Sequence, residues 1–121
     1  MENTRKIIIA GSRTFHNYAM LSSVMDELLA ENAAPVEIVC GEAKGADLLG
    51  RRYATERKYE IRSFPAKWNI YGRGAGMIRN QQMINYGNEL VAFWYGHSVG
   101  TRNIIQLAKE KDIPYTIVRF A

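Results

Sequence analysis

The amino-acid sequence predicts an α/β fold built around a five-stranded, mainly parallel sheet. Short apolar runs typical of buried strands recur along the chain, and segments with apolar residues at helical spacing lie between them. Glycines follow several of the apolar runs, at the points where a strand would turn into the next helix. Because parallel strands need a crossover connection, this alternation of strands and helices favours parallel pairing.

The first half of the chain contains three predicted strands and two predicted helices. Residues 6–10 form a continuous apolar run and predict the first strand. Apolar residues at helical spacing follow Asn17, a residue type suited to cap the start of a helix. The sequence then predicts a second strand over residues 36–40, a helix over residues 46–59 and a short third strand over residues 60–64.

The second half begins with a predicted long loop over residues 65–76, which hold one proline and three glycines. We then expect a helix over residues 77–86, a strand over 90–94, a helix over 102–111 and a strand over 115–120. We place the first strand at the centre, with strands two and three on one side and strands four and five on the other. The expected fold is therefore a Rossmann-like three-layer sandwich whose topological switch lies between strands one and four.

Length and composition predict one globular domain spanning residues 1–121. Hydrophobic residues make up 47% of the chain, and no apolar run approaches the length of a membrane span. One cysteine and two histidines leave no disulfide framework and no multi-ligand metal site. We expect no metal, no cofactor and no membrane contact, and a cytoplasmic location, which is the host cytoplasm if a phage encodes the chain.

The net charge favours anionic partners. The chain carries a formal charge of +4, but its basic residues are scattered and form no run of five or more. Net charge alone also fits an ordinary basic surface. The charge therefore permits a nucleic-acid partner without favouring one.

Three glycine-containing loops follow predicted strands, at residues 11–14, 41–47 and 96–101. In a parallel sheet these loops open on one edge, beside helix N-termini whose N–H groups attract phosphate. Hydroxyl groups of Ser12 and Thr101 and the guanidinium of Arg13 add donors of the kind that phosphate recognition needs. Each glycine also has a plain interpretation as a turn former.

Residues 65–80 combine aromatic rings with cations. Such a stretch is suited to stack a base and bind phosphates. In the alternative interpretation, Trp68 and Tyr71 pack over the sheet edge while the arginines are solvated. Arg79 is harder to explain by packing, because a cation at the start of a helix opposes the helix dipole. The candidate ligand-binding residues here are Lys67, Trp68, Arg73, Arg79 and Asn80.

Few residues suggest catalysis. Asp47 is suited either to cap the second helix or to accept a hydrogen bond from a ribose hydroxyl. His16 and His97 lack an evident nucleophile partner, and Cys40 is better explained by packing at a strand end.

Taken together, the motifs resemble one known family. They are Ala10-Gly-Ser-Arg-Thr-Phe15, Gly41-Glu-Ala-Lys-Gly-Ala-Asp47, Phe64-Pro-Ala-Lys-Trp68, Tyr71-Gly-Arg-Gly-Ala-Gly-Met-Ile-Arg-Asn80, Met83, Ala92-Phe93 and Gly100-Thr101. In this order they resemble the YspA-like branch of the SLOG superfamily, which is common in bacteria and phages. The resemblance implies a Rossmann-like fold and the binding of nucleotides or nucleotide-derived signals, including ADP-ribose-like molecules.

The sequence departs from a catalytic group of the same superfamily. The LOG phosphoribohydrolases cleave a base from a nucleoside monophosphate with a Gly-Gly-x-Gly-Thr-x-x-Glu motif, which corresponds here to His97-Ser-Val-Gly-Thr-Arg-Asn-Ile104. Ile104 replaces the glutamate and cannot transfer a proton. Gly100 and Thr101 of the phosphate-binding half remain, and Glu42 or Asp47 is the candidate substitute carboxylate.

The leading hypothesis is a non-catalytic protein that binds a phosphate-bearing, nucleotide-derived ligand, and that in a phage would sequester a host immune signal. The alternatives are a nucleosidase or phosphoribohydrolase and a DNA-associated module. The resemblance also implies a homo-oligomer, for which Trp94, Tyr95 and Phe120 offer apolar surface, although these residues suit the core equally well. The full set of candidate ligand-binding residues is Gly11, Ser12, Arg13, Gly41, Lys44, Gly45, Asp47, Lys67, Trp68, Arg73, Arg79, Asn80, Gly100 and Thr101.

Overall fold

A computed structural model describes residues 3–120 of the chain. Strands and helices alternate from one end of this range to the other. The elements are β1 (Arg5–Gly11), α1 (Tyr18–Leu28), β2 (Val36–Cys40), α2 (Ala46–Arg57), β3 (Glu60–Ser63), α3 (Trp68–Tyr71), α4 (Ala75–Tyr86), β4 (Glu89–Trp94), α5 (Val99–Lys111) and β5 (Tyr115–Arg119).

The five strands form one sheet in the order β3-β2-β1-β4-β5, and every neighbouring pair is parallel. The α/β Rossmann-like fold predicted from the sequence is therefore confirmed, together with the central place of the first strand. From β1 the chain adds β2 and β3 on one side of the sheet, and then adds β4 and β5 on the other side of β1. The carboxyl ends of β1 and β4 therefore flank the topological switch.

The continuous apolar character of the central strands follows from burial of both sheet faces. Successive side chains of a strand point to opposite faces. Ile7 and Ile9 pack in one core cluster with residues of α1 and α2, whereas Ile8 and Ala10 pack in a second cluster with residues of α4 and α5. The helices thus form the outer layers of a three-layer arrangement with β1 at its centre.

The predicted elements differ most from the structure in two places. The predicted loop over residues 65–76 contains α3, a single 3-10 turn at Gly72–Gly74 and the start of α4. Gly72 adopts a φ of 59° and ends α3, so the glycines separate short helical pieces and do not unwind the segment. α5 begins at Val99, three residues before the predicted start, because the side chain of Ser98 caps the helix.

The structure also shows what surrounds the residues that the sequence analysis explained equally well by packing in the core. Phe120 packs against Phe15, with ring centroids 4.8 Å apart, and against Tyr95. Arg119 stacks on the ring of Trp94. Cys40 is buried, and burial raises the pKa of its thiol.

Within residues 3–120 no helix is both long and apolar enough to cross a membrane.

Candidate functional site

A cavity of about 410 Å³ opens at the carboxyl ends of β1 and β4. The loop after β1, the first turn of α2, the segment from α3 to α4 and the first turn of α5 form its walls. This is the edge of the sheet at which open α/β folds bind ligands, at the switch between neighbouring strands. We call it the main cavity.

Two glycines allow the loops beneath the main cavity to pack closely. A Cβ atom on Gly11 would overlap the carbonyl oxygen of Phe93 and lie 2.8 Å from the Cβ atom of Ala46. Gly45 adopts a φ of 81°, and a Cβ atom there would overlap the carbonyl oxygen of Ser12. These two glycines therefore hold the loop after β1 against the loop after β2.

The first turn of α5 forms one wall of the main cavity. The Ser98 hydroxyl oxygen accepts a hydrogen bond from the backbone N–H of Thr101 at 3.3 Å and another from the Thr101 hydroxyl at 2.9 Å. Thr101 is thereby held almost fully buried beside Gly100. The first N–H groups of a helix have no acceptor within that helix, so this wall presents a positive potential.

Asp47 places a carboxyl group in the main cavity although its side chain is only 4% exposed. Its Oδ2 atom accepts a hydrogen bond from the backbone N–H of Ala43 at 3.3 Å. Burial raises the pKa of Asp47 to about 6, while the nearby charges of Arg79 and Arg13 act in the opposite direction. The helix-capping alternative is wrong, because the cap of α2 is Gly45 and no side chain bonds there.

Arg79 is fixed by two hydrogen bonds. Its Nη1 atom donates to the carbonyl oxygen of Gly41 at 2.6 Å, and its Nε atom donates to the side-chain oxygen of Asn80 at 3.0 Å. Burial lowers its pKa, and the charge of Asp47 opposes that shift. The expectation that Arg79 starts a helix is wrong, since it lies in the second turn of α4.

Gly41 is the position that both Arg79 and Asp47 approach. A Cβ atom on Gly41 would lie 2.8 Å from the Cζ atom of Arg79 and 2.8 Å from the Oδ2 atom of Asp47. The glycine therefore leaves the space in which the guanidinium and the carboxylate face each other.

Asn80 joins two walls of the main cavity. Its amide nitrogen donates to the carbonyl oxygen of Gly100 at 3.1 Å and to the side-chain oxygen of Asn103 at 2.9 Å. With the bond from Arg79, these contacts occupy both ends of the buried amide. Asn80 thus ties α4 to the first turn of α5.

Aromatic and cationic side chains cover the opening. Trp68 and Arg73 line the main cavity together with Arg13 and Arg79. Trp68 is 51% exposed and Tyr71 is 45% exposed, so neither ring is buried against the sheet edge. Among residues 3–120, no carboxylate forms an ion pair with Arg13, Arg73 or Arg79.

Several predicted site residues lie outside the main cavity. Ser12 is fully buried, and its hydroxyl has no hydrogen-bond partner in the described part of the chain. Lys67 faces a separate cavity beside Tyr86. Gly41 and Lys44 line an adjoining cavity together with Glu42, whose carboxylate binds Arg51 at 2.5 Å.

Other residues of the main cavity were not among the candidate ligand-binding residues predicted from the sequence. Ser98, Val99, Met77 and Tyr95 all contribute to its walls. A serine immediately before an apolar residue at a helix start was a usable signal for Ser98. Exposed apolar residues such as Val99 gave no such signal.

The strand order and the cavity at the switch point define a Rossmann-like α/β protein with a cationic site at its carboxyl edge. The chain belongs to the YAcAr family, described as the YspA, cpYpsA-related SLOG family, whose model matches residues 5–71. The Gene 61 protein of Mycobacterium phage D29 is 31% identical over 116 residues, which cover 91% of this chain and 93% of that protein.

A solved structure confirms the fold. DNA processing protein A from Helicobacter pylori superimposes with a TM-score of 0.67 at 19% sequence identity, and the match covers 97% of this chain. The chain spans 66% of the length of that solved chain. That protein has been described for its single-stranded DNA binding mode.

Proposed function

We propose that the chain binds a phosphate-bearing, nucleotide-derived ligand in the main cavity. The observation that carries the proposal is the set of three arginines, Arg13, Arg73 and Arg79, that line one cavity without an ion-pair partner among residues 3–120. Arginine binds phosphate through charge-assisted hydrogen bonds, which are stronger than neutral ones. Membership of a SLOG family is in keeping with a nucleotide-related ligand.

The remaining walls fit the other parts of a nucleotide. The first turn of α5 supplies the N–H group of Gly100 to attract a phosphate, while the N–H group of Thr101 is held by the Ser98 cap. The carboxylate of Asp47 is placed to accept hydrogen bonds from ribose hydroxyls, and the exposed ring of Trp68 is suited to stack a base. In this proposal Gly11, Ser12, Gly45 and Asn80 position the walls.

The first test is to incubate the pure protein with AMP, NAD, ADP-ribose and cyclic ADP-ribose isomers and to identify bound and released species by mass spectrometry. For the ligand retained, calorimetry on the Arg13→Ala variant should give an affinity about tenfold lower, because a charged hydrogen bond is lost. Arg52→Ala is the matched control, since Arg52 pairs with Glu56 at 2.9 Å and does not line the main cavity. Equal losses in both variants would contradict the proposed site.

A nucleosidase or phosphoribohydrolase is the second candidate function, and the raised pKa of Asp47 favours it. A carboxyl group with a pKa of about 6 can hold a proton near neutral pH and give it to a leaving base. Glu42 is less suited, because Arg51 binds its carboxylate outside the main cavity. The test is release of free base, which Asp47→Asn should abolish while ligand binding persists.

A DNA-associated module is the third candidate. The positive net charge and the likeness in fold to a protein that binds single-stranded DNA favour it. A gel-shift series at increasing salt tests it, because each phosphate contact releases counterions and steepens the salt dependence. No shift at low salt would remove this candidate.

The biological setting is part of the same proposal. A relative encoded by a phage fits a protein that sequesters a signalling nucleotide in the host cytoplasm, acting as a homo-oligomer. Recovery of an intact ligand from the protein after expression in infected cells would support sequestration. Light scattering would give the oligomeric state, for which Tyr95 offers partly exposed aromatic surface.

A further inference from the structure

A second cavity adjoins the main one. It has a volume of about 390 Å³ and lies between the loop after β2 and the segment that leads into α3. The two cavities share Arg13, Ala43, Trp68 and Arg79 as lining residues. We call it the adjoining cavity.

The adjoining cavity also has the chemistry of an anion site. Lys44 adds a cation to the shared guanidinium groups of Arg13 and Arg79. Its one carboxylate, Glu42, is bound by Arg51 at 2.5 Å and accepts from the Ser63 hydroxyl at 3.3 Å. The charge that remains for a ligand in this cavity is therefore positive.

The shared residues lie where two halves of a ligand would meet. Arg13 and Arg79 border both cavities, so an anionic group between the cavities would lie beside two guanidinium groups. Trp68 also borders both, and half of its surface is exposed, which suits stacking with a planar ring.

From this arrangement we propose that the ligand is a dinucleotide: two nucleoside units joined by a phosphate, with one unit in each cavity and the joining phosphate beside Arg13 and Arg79. The proposal rests on the proposed function and specifies the size of the ligand. Each cavity alone lies at the lower end of the range of volumes, about 300–1,000 Å³, that small-molecule sites show. Together they accommodate a ligand of about two nucleotides.

The test is calorimetry of the full chain with ligands of increasing length. The probes are the four ribonucleoside 5′-monophosphates and the 5′-phosphorylated homodinucleotides and homotrinucleotides of the same bases. We expect a dinucleotide to bind about tenfold or more tighter than its mononucleotide, because the second unit binds at a high effective concentration. A third unit should change the affinity by less than about twofold, since it has no cavity of its own.

Variants separate the two cavities. Lys44→Ala should lower the dinucleotide affinity more than the mononucleotide affinity and so remove most of the gain between the two, because Lys44 lines the adjoining cavity and not the main cavity. Lys109→Ala is the matched control, as Lys109 lies in the last turn of α5 near Tyr115 and should change neither affinity.

Each outcome has a distinct meaning. Equal affinities for mononucleotide and dinucleotide would overturn the dinucleotide proposal and leave the proposed function standing. An affinity that keeps rising with each added unit would also overturn it, in favour of an open groove for a nucleic-acid strand. If none of these probes binds, and NAD, ADP-ribose and the cyclic ADP-ribose isomers do not bind either, the proposed function itself falls.

Discussion

The arginines of the α1–α2 surface and those of the main cavity differ in their partners. On the α1–α2 surface, Arg57 pairs with Asp26 at 2.8 Å and Arg52 pairs with Glu56 at 2.9 Å. In the main cavity Arg13 and Arg79 lie near each other and near a buried carboxyl group, Asp47, and no ion pair forms with either arginine or with Arg73 in the described range of residues.

The difference indicates what each region contributes. Exposed ion pairs add little to folding stability, but they neutralise the surface on which they lie. Unpaired cations around a cavity are costly to keep together, because each raises the electrostatic energy of the next. An anionic ligand would remove that cost, which is the physical reason for placing the binding site here.

The two regions should respond to pH in opposite directions, and this is the largest effect we expect. Burial raises the pKa of Asp47 from 3.8 to about 6. Its contribution to stability is therefore complete below pH 3.8 and is lost as the pH rises through about 6. The lost stability is about 3 kcal/mol. Hydrogen bonds from Arg57 and Tyr53 lower the pKa of Asp26, so its contribution is present above pH 3.8 and is lost as the pH falls.

Urea unfolding between pH 3 and pH 8 checks this contrast. Asp47→Asn should remove the loss of stability between pH 3.8 and about 6, and Asp26→Asn should remove part of the loss on the acid side. Parallel pH profiles for the two variants would show that Asp47 is better solvated than its burial indicates. They would contradict the expected opposite pH dependence of the two regions.

The next largest effect is expected on the free energy of unfolding when Gly41 is replaced. Gly41→Ala would place a Cβ atom against both Arg79 and Asp47, so we expect a loss of about 2 kcal/mol in the free energy of unfolding. Gly74→Ala is the matched control, because nothing lies within 4 Å of a Cβ atom there. Urea denaturation measures both. A Gly41→Ala variant as stable as Gly74→Ala would mean that Arg79 moves aside at little cost.

The sheet could be predicted from the sequence more completely than the cavity. Strands such as β1 are buried on both faces and are therefore continuously apolar, which made the strands predictable, whereas their order was an assumption that the structure confirms. The α3 segment was not predictable, because its glycines at 72 and 74 signal a loop wherever tertiary contacts do not hold short helical pieces together.

The direction in which each side chain points was the second feature that could not be predicted from the sequence. Arg13 and Ser12 are neighbours after the same strand, yet Arg13 lines the main cavity and Ser12 is fully buried. The close approach of Gly45 to the Ser12 backbone is a contact between distant parts of the chain, and no local pattern reveals it. The convergence of Arg13 with Arg73 and Arg79 was predictable, because all three lie in segments that reach the carboxyl edge of a parallel sheet.

The smallest effect compares one helix cap from each region. Asn17 caps α1 by accepting from the backbone N–H of Met20 at 3.0 Å, and Ser98 caps α5 by accepting from that of Thr101 at 3.3 Å. Replacing either residue with alanine should lower the free energy of unfolding by about 1 kcal/mol. Of the two, only Ser98→Ala should also weaken nucleotide binding, because α5 begins at the main cavity and α1 does not. Denaturation and calorimetry on both variants separate the two effects, and an equal fall in affinity would show that α5 acts through stability alone.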